Sequence, residues 1–355
     1  MRVIQILGSL AFGDAIGNHA VALKRLLRGA EYQTELYAQA IDPRLSRGIA
    51  RPLRQLRNLK EDDIIIYHMS SGCPLNMQLK QWKGRKLLMY HNITPPRFFQ
   101  PYDTAAAAGL QHGLEQAGHL MNCVEYCVTM SKFSRQDLIE IGYSPAKIWV
   151  MPACLIPFED YAQPPDEDML KKYADEWANI LFVGRLAPNK KQEDAIRAFA
   201  YYKKHIHRKA RLFLVGSAAI PSYAGLLKRY VDALGVEDVI FPGHINFAQL
   251  IALYRSASVF LCMSEHEGFC VPLAEAMYFD VPVLAYCAAA VPETLGGSGV
   301  LLDSKEPPLT ALWMDRLISD RPLREHILQG QRERLKQLMP DQVQRAFLDF
   351  LKEFV

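Results

Sequence analysis

The sequence predicts an α/β protein made of two doubly wound domains. Short apolar strands alternate with amphipathic helices in two successive runs, and a proline-rich acidic stretch at 152–168 separates the runs. Strands that alternate with helices imply crossover connections and parallel sheets buried on both faces. A chain of 355 residues is also long enough for two domains of roughly 150 residues each. We therefore expect two parallel sheets, each covered by helices.

The individual elements are predicted from local pattern. Each strand is an apolar run bounded by polar residues, glycine or proline, and each helix repeats apolar residues every three or four positions. In the first run, strands are predicted at 2–7, 32–38, 63–67, 86–90, 126–130 and 148–151, and helices at 18–28, 105–120 and 132–141. In the second run, strands are predicted at 180–183, 211–215, 239–241, 258–262 and 281–285, and helices at 191–205, 222–234, 247–256 and 272–279.

The proline-rich stretch sets the predicted domain boundaries. Its four prolines and its acidic cluster disfavour both helix and strand. We assign 1–160 to the first domain and 161–338 to the second, with a terminal helix at 339–355. The stretch contains Asp166, Glu167 and Asp168, which match the sequence of an Asp-x-Asp metal motif. Because they lie in the proline-rich stretch and not at the end of an apolar strand, we interpret them as a solvated acidic turn.

Composition excludes several classes of protein. The 41 basic and 38 acidic residues give a net charge of only +3, which argues against a dedicated nucleic-acid binder. Apolar runs fall short of the ~20 residues that span a bilayer, and the first residues do not resemble a secretion signal, so we expect a cytoplasmic protein. The seven cysteines are an odd number scattered through apolar segments, as for reduced, buried thiols. Cys123 and Cys127 lack a second ligand pair at zinc spacing, so no metal is expected.

Two basic residues follow the first strand of the second run. Arg185 and Lys190 lie in the segment VGRLAPNK, 183–190. In open α/β sheets, ligands bind beyond the carboxyl ends of the strands. An arginine fork and a lysine point charge can hold a diphosphate there. Two ordinary surface cations would give the same pattern.

A second candidate site lies between a strand and a helix at 265–277. Gly268 allows the backbone to approach a ligand closely, and Pro272 suits the first turn of a helix. The free amides at the start of that helix would bind an anion without a side-chain cation; they belong to Phe269, Cys270 and Val271. Glu275 lies one turn into the helix, where it can accept hydrogen bonds from sugar hydroxyls, and Glu267 lies before the helix. A helix-capping acid and an exposed acid are the plainer alternative.

These segments resemble a known family. EHEGFCVPLAEAM at 265–277 resembles the Glu-x7-Glu signature of retaining family 4 glycosyltransferases of the GT-B fold, and VGRLAPNKKQEDAIRAF at 183–199 resembles the donor-phosphate loop of that family. The similarity covers most of 147–303. It implies two Rossmann-like domains that face a cleft, with a nucleotide-sugar donor held by the second domain.

The resemblance also implies roles for individual residues. Arg185 and Lys190 would bind the donor pyrophosphate, Glu275 the ribose hydroxyls, and Glu267 the transferred sugar, as a catalytic residue. The residues near the base would be Gly243, His244 and Ile245.

The first half resembles the family in shorter segments. MYHNITPP at 89–96 matches the segment that places a histidine at the cleft, which makes His91 a candidate catalytic residue. His68, which follows another strand, is the weaker candidate. The segment GSLAFGDAIGN at 8–18 occupies the first strand–helix turn, and Gly13 and Asp14 are its candidate substrate-binding residues. It is not a GxGxxG motif, so a dinucleotide site is disfavoured.

The chemistry implied is metal-independent transfer of a hexose with retention of configuration. Cations and a helix N-terminus would stabilise the leaving diphosphate, and a front-face path is favoured over a glycosyl-enzyme intermediate. Mannose from GDP-mannose is the first expectation for the donor and a UDP-hexose the alternative; the acceptor would be a glycan or a lipid-linked saccharide. A non-catalytic nucleotide-sugar-binding protein and an epimerase are the rival classes.

Two further expectations concern surfaces. A series of basic residues recurs every three or four positions, a spacing that would gather them along one face of a helix, although Pro52 would bend or split a regular helix. This series could rest on an anionic membrane or form only a solvated basic face; its members are Arg44, Arg47, Arg51, Arg54, Arg57 and Lys60. The nearby apolar residues Ile49, Leu53, Leu56 and Leu59 would insert shallowly or belong to the core. The last helix, 341–355, carries an apolar stripe that should pack on the first domain.

Overall fold

The computed structural model describes residues 1–151, 153 and 155–354. Pro152 and Cys154 of the predicted interdomain stretch, and the terminal Val355, lie outside the described residues. The chain forms two compact units. The first unit comprises residues 1–96, 105–157 and the chain from Leu338, and the second comprises residues 97–104 and 158–337.

The first unit contains a seven-stranded parallel sheet in the order β3-β2-β1-β4-β5-β6-β7. Its strands are β1 (Val3–Leu10), β2 (Thr34–Ile41), β3 (Arg51–Pro52), β4 (Ile64–Met69), β5 (Arg85–Tyr90), β6 (Tyr126–Thr129) and β7 (Ile148–Val150). Strand β1 lies at the centre, because Val3 aligns with Thr34 on one side and with Ile64 on the other. The strand order therefore reverses beside β1, which is where doubly wound folds bind ligands.

Helices of the first unit connect these strands. They are α1 (Ala15–Gly29), α2 (Pro74–Gln78), α3 (Thr104–Leu120), α4 (Lys132–Ile141) and, at the end of the chain, α13 (Pro340–Phe354). Helix α4 begins after Ser131, whose side chain accepts a hydrogen bond from the amide of Ser134, and ends at Gly142 in the left-handed conformation. These are the usual start and stop signals of a helix.

The second unit contains a six-stranded parallel sheet in the order β10-β9-β8-β11-β12-β13. Its strands are β8 (Ala178–Val183), β9 (Ala210–Val215), β10 (Val239–Gly243), β11 (Val259–Cys262), β12 (Val283–Tyr286) and β13 (Val300–Leu302). Its helices are α5 (Glu167–Tyr173), α6 (Gln192–His205), α7 (Pro221–Leu234), α8 (Phe247–Ser256), α9 (Val271–Tyr278), α10 (Val291–Leu295), α11 (Pro307–Ser319) and α12 (Arg321–Leu338). The prediction of two doubly wound parallel-sheet domains is confirmed.

Some elements carry no clear sequence signal. Strand β3 has two residues and β13 has three, too short for a recognisable run. Helix α12 has 18 residues, yet Leu328, Gln331 and Leu338 are its buried positions. Because so little of its surface is apolar and buried, the period that identifies an amphipathic helix is weak.

The basic segment is not a helix, so the single helical face is wrong, whereas the interruption expected at Pro52 is present because Pro52 lies in β3. After β3, a single 3₁₀ turn at Leu53–Gln55 leads into irregular chain. Leu53, Leu56 and Leu59 are half-buried and pack against the core of the first unit. The cations between them are exposed; they are Arg51, Arg54, Arg57 and Lys60. The three-residue spacing therefore separates a core-facing side from a solvent-facing side without a helix, and the leucines belong to the core.

The acidic turn at Asp166 is also more ordered than expected. Asp166 is the N-cap of α5, and its carboxylate accepts a hydrogen bond of 2.8 Å from the amide of Met169. Glu167 and Asp168 occupy the first turn of α5, where negative charge is favourable. These acids therefore begin a helix.

The terminal helix α13 packs on the first unit, as its apolar stripe predicts. Phe347 and Leu351 are fully buried. The Phe350 ring stacks on Trp149 with ring centroids 4.4 Å apart, and the Arg85 guanidinium lies 4.1 Å from the centroid of the Phe354 ring.

Residues 97–104 depart from the predicted domain assignment, because they pack with the second unit. The ring centroids of Phe98 and His266 are 6.0 Å apart, and those of Tyr102 and Tyr223 are 5.1 Å apart. The Ser222 hydroxyl also donates a 2.7 Å hydrogen bond to the carbonyl of Tyr102. Aromatic contacts with residues more than 100 positions away hold this segment, and local sequence does not encode them.

Among residues 1–151, 153 and 155–354, none of the helices combines the length and the apolar character needed to cross a membrane.

Candidate active site

Three glycines mark the carboxyl ends of neighbouring strands in the second unit. Gly184 follows β8, Gly216 follows β9, and Gly243 ends β10. The amide of Gly184 donates to Val215 and the amide of Gly216 donates to Gly243, at 2.9 and 3.0 Å. Gly216 has a φ of +146°, and a Cβ there would lie 2.0 Å from the Gly184 carbonyl oxygen. Only glycine therefore allows the two strand ends to come together, and Gly216 was not predicted.

Hydrogen bonds join the loops after β8 and β11. The Asn189 side-chain amide donates to the carbonyl of His266, and the amide of Glu265 donates to the carbonyl of Asn189, both at 2.9 Å. Asn189 is buried, so both bonds are shielded from water. This contact, which sequence reasoning missed, brings Lys190 and Glu267 together.

Lys190 and Glu267 form an ion pair. The Lys190 Nζ lies 2.6 Å from each carboxylate oxygen of Glu267, so the contact is bidentate. The two side chains are 17% and 8% exposed. Burial alone would lower the pKa of Lys190, but the Glu267 carboxylate outweighs this effect and the pKa is raised. The ammonium is therefore charged at neutral pH.

Arg185 is the accessible cation of this loop. Its side chain is exposed, and it forms no ion pair with a carboxylate in the part of the chain that the structure describes. The Gln192 side-chain amide donates a 2.9 Å hydrogen bond to the carbonyl of Arg185 and fixes the backbone. The guanidinium therefore projects from an anchored position and is available to a ligand.

Helix α9 begins beside these cations. It starts at Val271, one residue before the predicted position, and its N-cap Cys270 has a left-handed φ of +70°. The first amides of a helix lack acceptors within it and carry partial positive charge. The Phe269 carbonyl is engaged by the Thr294 hydroxyl, which steadies the turn. Gly268 and Val271 are half-buried in this turn.

Glu275 lies deeper than predicted. Its two carboxylate oxygens accept hydrogen bonds from the hydroxyls of Tyr161 and Tyr254, at 2.5 and 2.6 Å. Burial raises the pKa of Glu275, and the two tyrosine hydrogen bonds only partly offset this rise. The rings of Phe247 and Phe279 pack against Tyr161. The carboxyl group therefore already has partners, which the sequence did not reveal.

The remaining predicted residues of the second unit lie after β10. Gly243 has a φ of +75°, with open space where a Cβ would be. His244 is exposed and Ile245 is half-buried. The amide of Gly216 binds the Gly243 carbonyl, so these residues lie at the same sheet edge as the loop after β8.

In the first unit, Gly13 and Asp14 follow β1. Gly13 is exposed with a φ of +71°. Asp14 is the N-cap of α1, and its carboxylate accepts a 3.3 Å hydrogen bond from the amide of Gly17. Asp14 thus has a structural role, and Gly13 supplies the turn.

His91 belongs to a chain of hydrogen-bonded side chains. Its Nε2 lies 2.9 Å from Nδ1 of His68, and Nε2 of His68 lies 2.9 Å from Oε1 of Gln5. With the Gln5 oxygen as acceptor, His68 is protonated on Nε2 and accepts the Nε2 proton of His91. Nδ1 of His91 is then unprotonated. His68, the weaker candidate from sequence, orients the stronger one.

A third histidine, His19, lies beside this series of hydrogen-bonded side chains. The ring centroids of His19 and His91 are 5.5 Å apart, and Nδ1 of His19 accepts a 3.0 Å hydrogen bond from the amide of Leu155. Burial lowers the pKa of His19 to about 4 and holds the pKa values of His68 and His91 well below 6.5. All three rings are therefore neutral at pH 7.

Two doubly wound parallel sheets define a two-domain α/β protein, and the second sheet has cations and the first amides of a helix at its carboxyl edge. Residues 168–334 match the family "Glycosyl transferases group 1". Similar proteins include O-antigen chain mannosyltransferase B of Escherichia coli, 25% identical over 288 residues, 78% of this chain and 71% of that protein. D-inositol 3-phosphate glycosyltransferase of Salinispora arenicola is 30% identical over 184 residues, 50% of this chain and 41% of that protein.

Solved structures of other proteins share the fold of this chain. The Anabaena protein HepE, solved in complex with UDP-glucose, superposes with a TM-score of 0.77 at 17% identity, covering 99% of this chain and all of that one. The glycosyltransferase WaaG superposes with a TM-score of 0.69 at 13% identity, covering 98% and 99%. The fold is therefore the GT-B architecture, and residues 168–334 are similar to group 1 glycosyltransferases, as the sequence resemblance implied.

The buried histidines predict an acid-sensitive first unit. The pKa of His19 is 6.5 in an unfolded chain and about 4 when folded, so the unfolded chain binds more protons between these values. Stability is therefore complete above pH 6.5 and falls as the pH drops toward 4. Urea unfolding of the first unit at neutral and mildly acidic pH should show this loss, and His19→Gln should reduce it. His119→Gln, at an exposed position, is the control, and an equal pH dependence in both variants would contradict the prediction.

The Lys190–Glu267 pair predicts strong energetic coupling. Lys190→Met leaves a buried carboxylate without its partner, which should cost about 3–5 kcal/mol of unfolding free energy. The double variant Lys190→Met/Glu267→Gln should lose clearly less than the sum of the single losses. Urea denaturation of all four proteins gives the coupling energy.

The matched control for this cycle is the exposed pair Lys336–Glu333, where coupling should be about 0.3–0.5 kcal/mol. Additive losses at Lys190 and Glu267 would show that the two side chains do not form a buried pair in solution.

Proposed function

We propose that this protein transfers a hexose from a nucleoside-diphosphate sugar to a saccharide acceptor, with retention of configuration and without a metal. The observation that carries the proposal is the convergence of Arg185, the Lys190–Glu267 pair and the start of α9 at one edge of the second sheet. These are the positions where the family signature occurs. A diphosphate leaving group needs positive potential, and this edge supplies it from two cations and a helix N-terminus.

Arg185 is the principal diphosphate ligand in this proposal. It is exposed and its backbone is anchored, and a guanidinium binds phosphate oxygens through two parallel hydrogen bonds. The Lys190 ammonium is already bound to Glu267, but it has three donors and can add a phosphate oxygen. The amides of Phe269, Cys270 and Val271, next to Gly268, complete the cradle.

The two signature acids have different roles. Glu267, held in place by Lys190, would contact the transferred sugar near the reacting carbon. Glu275 would bind the ribose by exchanging a tyrosine hydroxyl, from Tyr161 or Tyr254, for a ribose hydroxyl. The base would lie near Gly243, His244 and Ile245.

In the first unit, His91 is the proposed catalytic residue. Its neutral ring is held by His68 and presents an unprotonated Nδ1 as a hydrogen-bond acceptor. Gly13 and Asp14 are the proposed substrate contacts of the turn after β1. We favour front-face transfer, in which the acceptor attacks on the side of the leaving diphosphate.

Mannose from GDP-mannose is the proposed donor. The similarity to O-antigen chain mannosyltransferase B supports it. A UDP-hexose is the second candidate, favoured by the HepE complex with UDP-glucose. Thermal unfolding with each donor separates them, because a ligand at 100 times its Kd adds about 2.7 kcal/mol of stability. Turnover of the stabilising donor then distinguishes an enzyme from a non-catalytic sugar-nucleotide-binding protein.

Arg185→Ala should strongly reduce transfer and leave the fold intact. Loss of a charge-assisted contact to the departing diphosphate should cost about 2–4 kcal/mol of transition-state stabilisation. Steady-state rates at saturating donor measure the effect. Arg208→Ala, at an exposed arginine of the same unit, should be unaffected. Equal rates in the two variants would remove Arg185 from the donor site.

Transfer should persist in EDTA. The cations and helix amides supply the positive potential that a divalent metal provides in other transferases. Rates before and after chelation, and after magnesium or manganese is restored, test this directly. Complete loss in EDTA with recovery on adding metal would contradict a metal-independent reaction.

We propose a lipid-linked acceptor, approached by binding of the first unit to an anionic membrane. The exposed cations after β3 support it, and each is worth about 1 kcal/mol near such a surface. Co-sedimentation with phosphatidylserine vesicles should fall when Arg47, Arg54 and Arg57 become Gln. The matched control places Gln at the exposed Lys204, Arg208 and Lys228. Failure of the wild-type protein to sediment at low salt would favour a water-soluble acceptor.

A further inference from the structure

Two thiols lie beside the signature acid Glu267. The sulfur atoms of Cys262 and Cys270 and a carboxylate oxygen of Glu267 all lie within 4.8 Å of one another. All three residues are buried. Bonds from zinc to sulfur and oxygen are about 2.0–2.3 Å long, so small side-chain movements would draw the two sulfurs and the oxygen around a single ion.

The fold determines this cluster. Cys262 is the last residue of β11, and Cys270 is the N-cap of α9 with its left-handed φ of +70°. The loop between them turns back so that Glu267 faces both thiols. The Cys262 thiol also lies 3.5 Å from the Ser264 hydroxyl, which fixes the sulfur at the strand end.

The two thiols interact with each other. A hydrogen bond from the Cys270 thiol lowers the pKa of Cys262, whereas the same contact and burial raise the pKa of Cys270. A metal that binds both would displace a proton from each.

Charge balance favours a divalent cation. Two thiolates and the Glu267 carboxylate carry three negative charges, and a divalent ion together with the Lys190 ammonium carries three positive charges. The buried cluster would then be neutral, which avoids the cost of an uncompensated charge. Soft sulfur ligands select zinc-like ions over magnesium or calcium.

We propose that Cys262, Cys270 and Glu267 form a binding site for a thiophilic divalent cation, with zinc as the reference ion, and that occupancy of this site inhibits sugar transfer. Binding forms two zinc–sulfur bonds and one zinc–oxygen bond and releases the two thiol protons to solvent, with no change of oxidation state. The fourth position is left to water. Inhibition rests on the role proposed for Glu267, because the ion would bind the carboxylate that is proposed to contact the donor sugar; the binding itself does not depend on that role.

The binding test uses the reduced, full-length protein. Cobalt(II), a spectroscopic substitute for zinc, should bind with one equivalent and give the intense absorption of thiolate-to-cobalt charge transfer, and zinc should abolish it. Cys262→Ser should weaken binding by about 100-fold or more, since a ligand is lost rather than an outer partner. Cys287→Ser, at an exposed thiol outside the cluster, is the control and should bind as the wild type does.

The activity test separates the site from the proposed function. Zinc should inhibit the wild type and Cys287→Ser, and a chelator rather than a thiol reductant should restore the rate. Cys262→Ser should keep its basal rate and resist zinc. Cys262→Ala gives a second version of the variant, and thermal unfolding shows whether each has folded.

Cobalt spectra without a thiolate band, or equal affinity in Cys262→Ser and wild type, would overturn the metal site. Cobalt binding through the thiols in a protein that transfers no sugar would leave the site standing and remove the proposed function.

Discussion

The buried ion pair between Lys190 and Glu267 is the contact on which the second unit's candidate site depends. Its members come from the loops after β8 and β11, which are adjacent strands because Val259 aligns with Ile180. A charge that is mostly removed from water is stable only with a close partner. The bidentate geometry meets this requirement, and the hydrogen bonds of Asn189 hold the loops in register. This pair therefore sets the orientation of Glu267 and of the loop that leads into α9.

The same site shows a conflict between stability and binding. Glu275 is satisfied by two tyrosine hydroxyls, and Glu267 is satisfied by Lys190, so both acids have partners before any ligand arrives. A ligand must therefore exchange hydrogen bonds at these carboxylates instead of finding them open. Arg185 differs, because its guanidinium is exposed. Under the proposed function, the diphosphate is recognised mainly by Arg185 and the helix amides, while Glu267 binds the transferred sugar and Glu275 binds the ribose by exchanging hydrogen bonds.

The sequence predicted the elements with strong local patterns and the family motifs, but it could not predict contacts between distant segments. Apart from the short β3 and β13, the strands of both sheets and the helix after Cys270 were recognisable because continuous apolar runs and turn residues identify them locally. The ion pair was not, because its members are 77 positions apart and each alone resembles an available ligand. Tyr161 lay in a stretch interpreted only as a connection, yet it binds Glu275.

The prediction of a helical face in the basic segment was wrong for a different reason. A three-residue spacing of leucines and arginines fits a helix in one dimension, but the chain after β3 runs along the core of the first unit with Leu56 inward and Arg57 outward. Asp14 likewise occupies the predicted turn, but its carboxylate caps α1. Tertiary packing therefore decided the conformation of the basic segment, whereas a local hydrogen bond three residues along the chain decided the role of Asp14.

The central claim, that the carboxyl edge of the second sheet binds the donor diphosphate, is tested most directly by hydrogen exchange. Amide exchange is measured by mass spectrometry on the full chain, with and without saturating GDP or UDP. The account predicts slower exchange in 184–190 and 268–273 with the nucleotide that binds. Protection confined to the first unit, or absent from both of these segments while the nucleotide is bound, would contradict it.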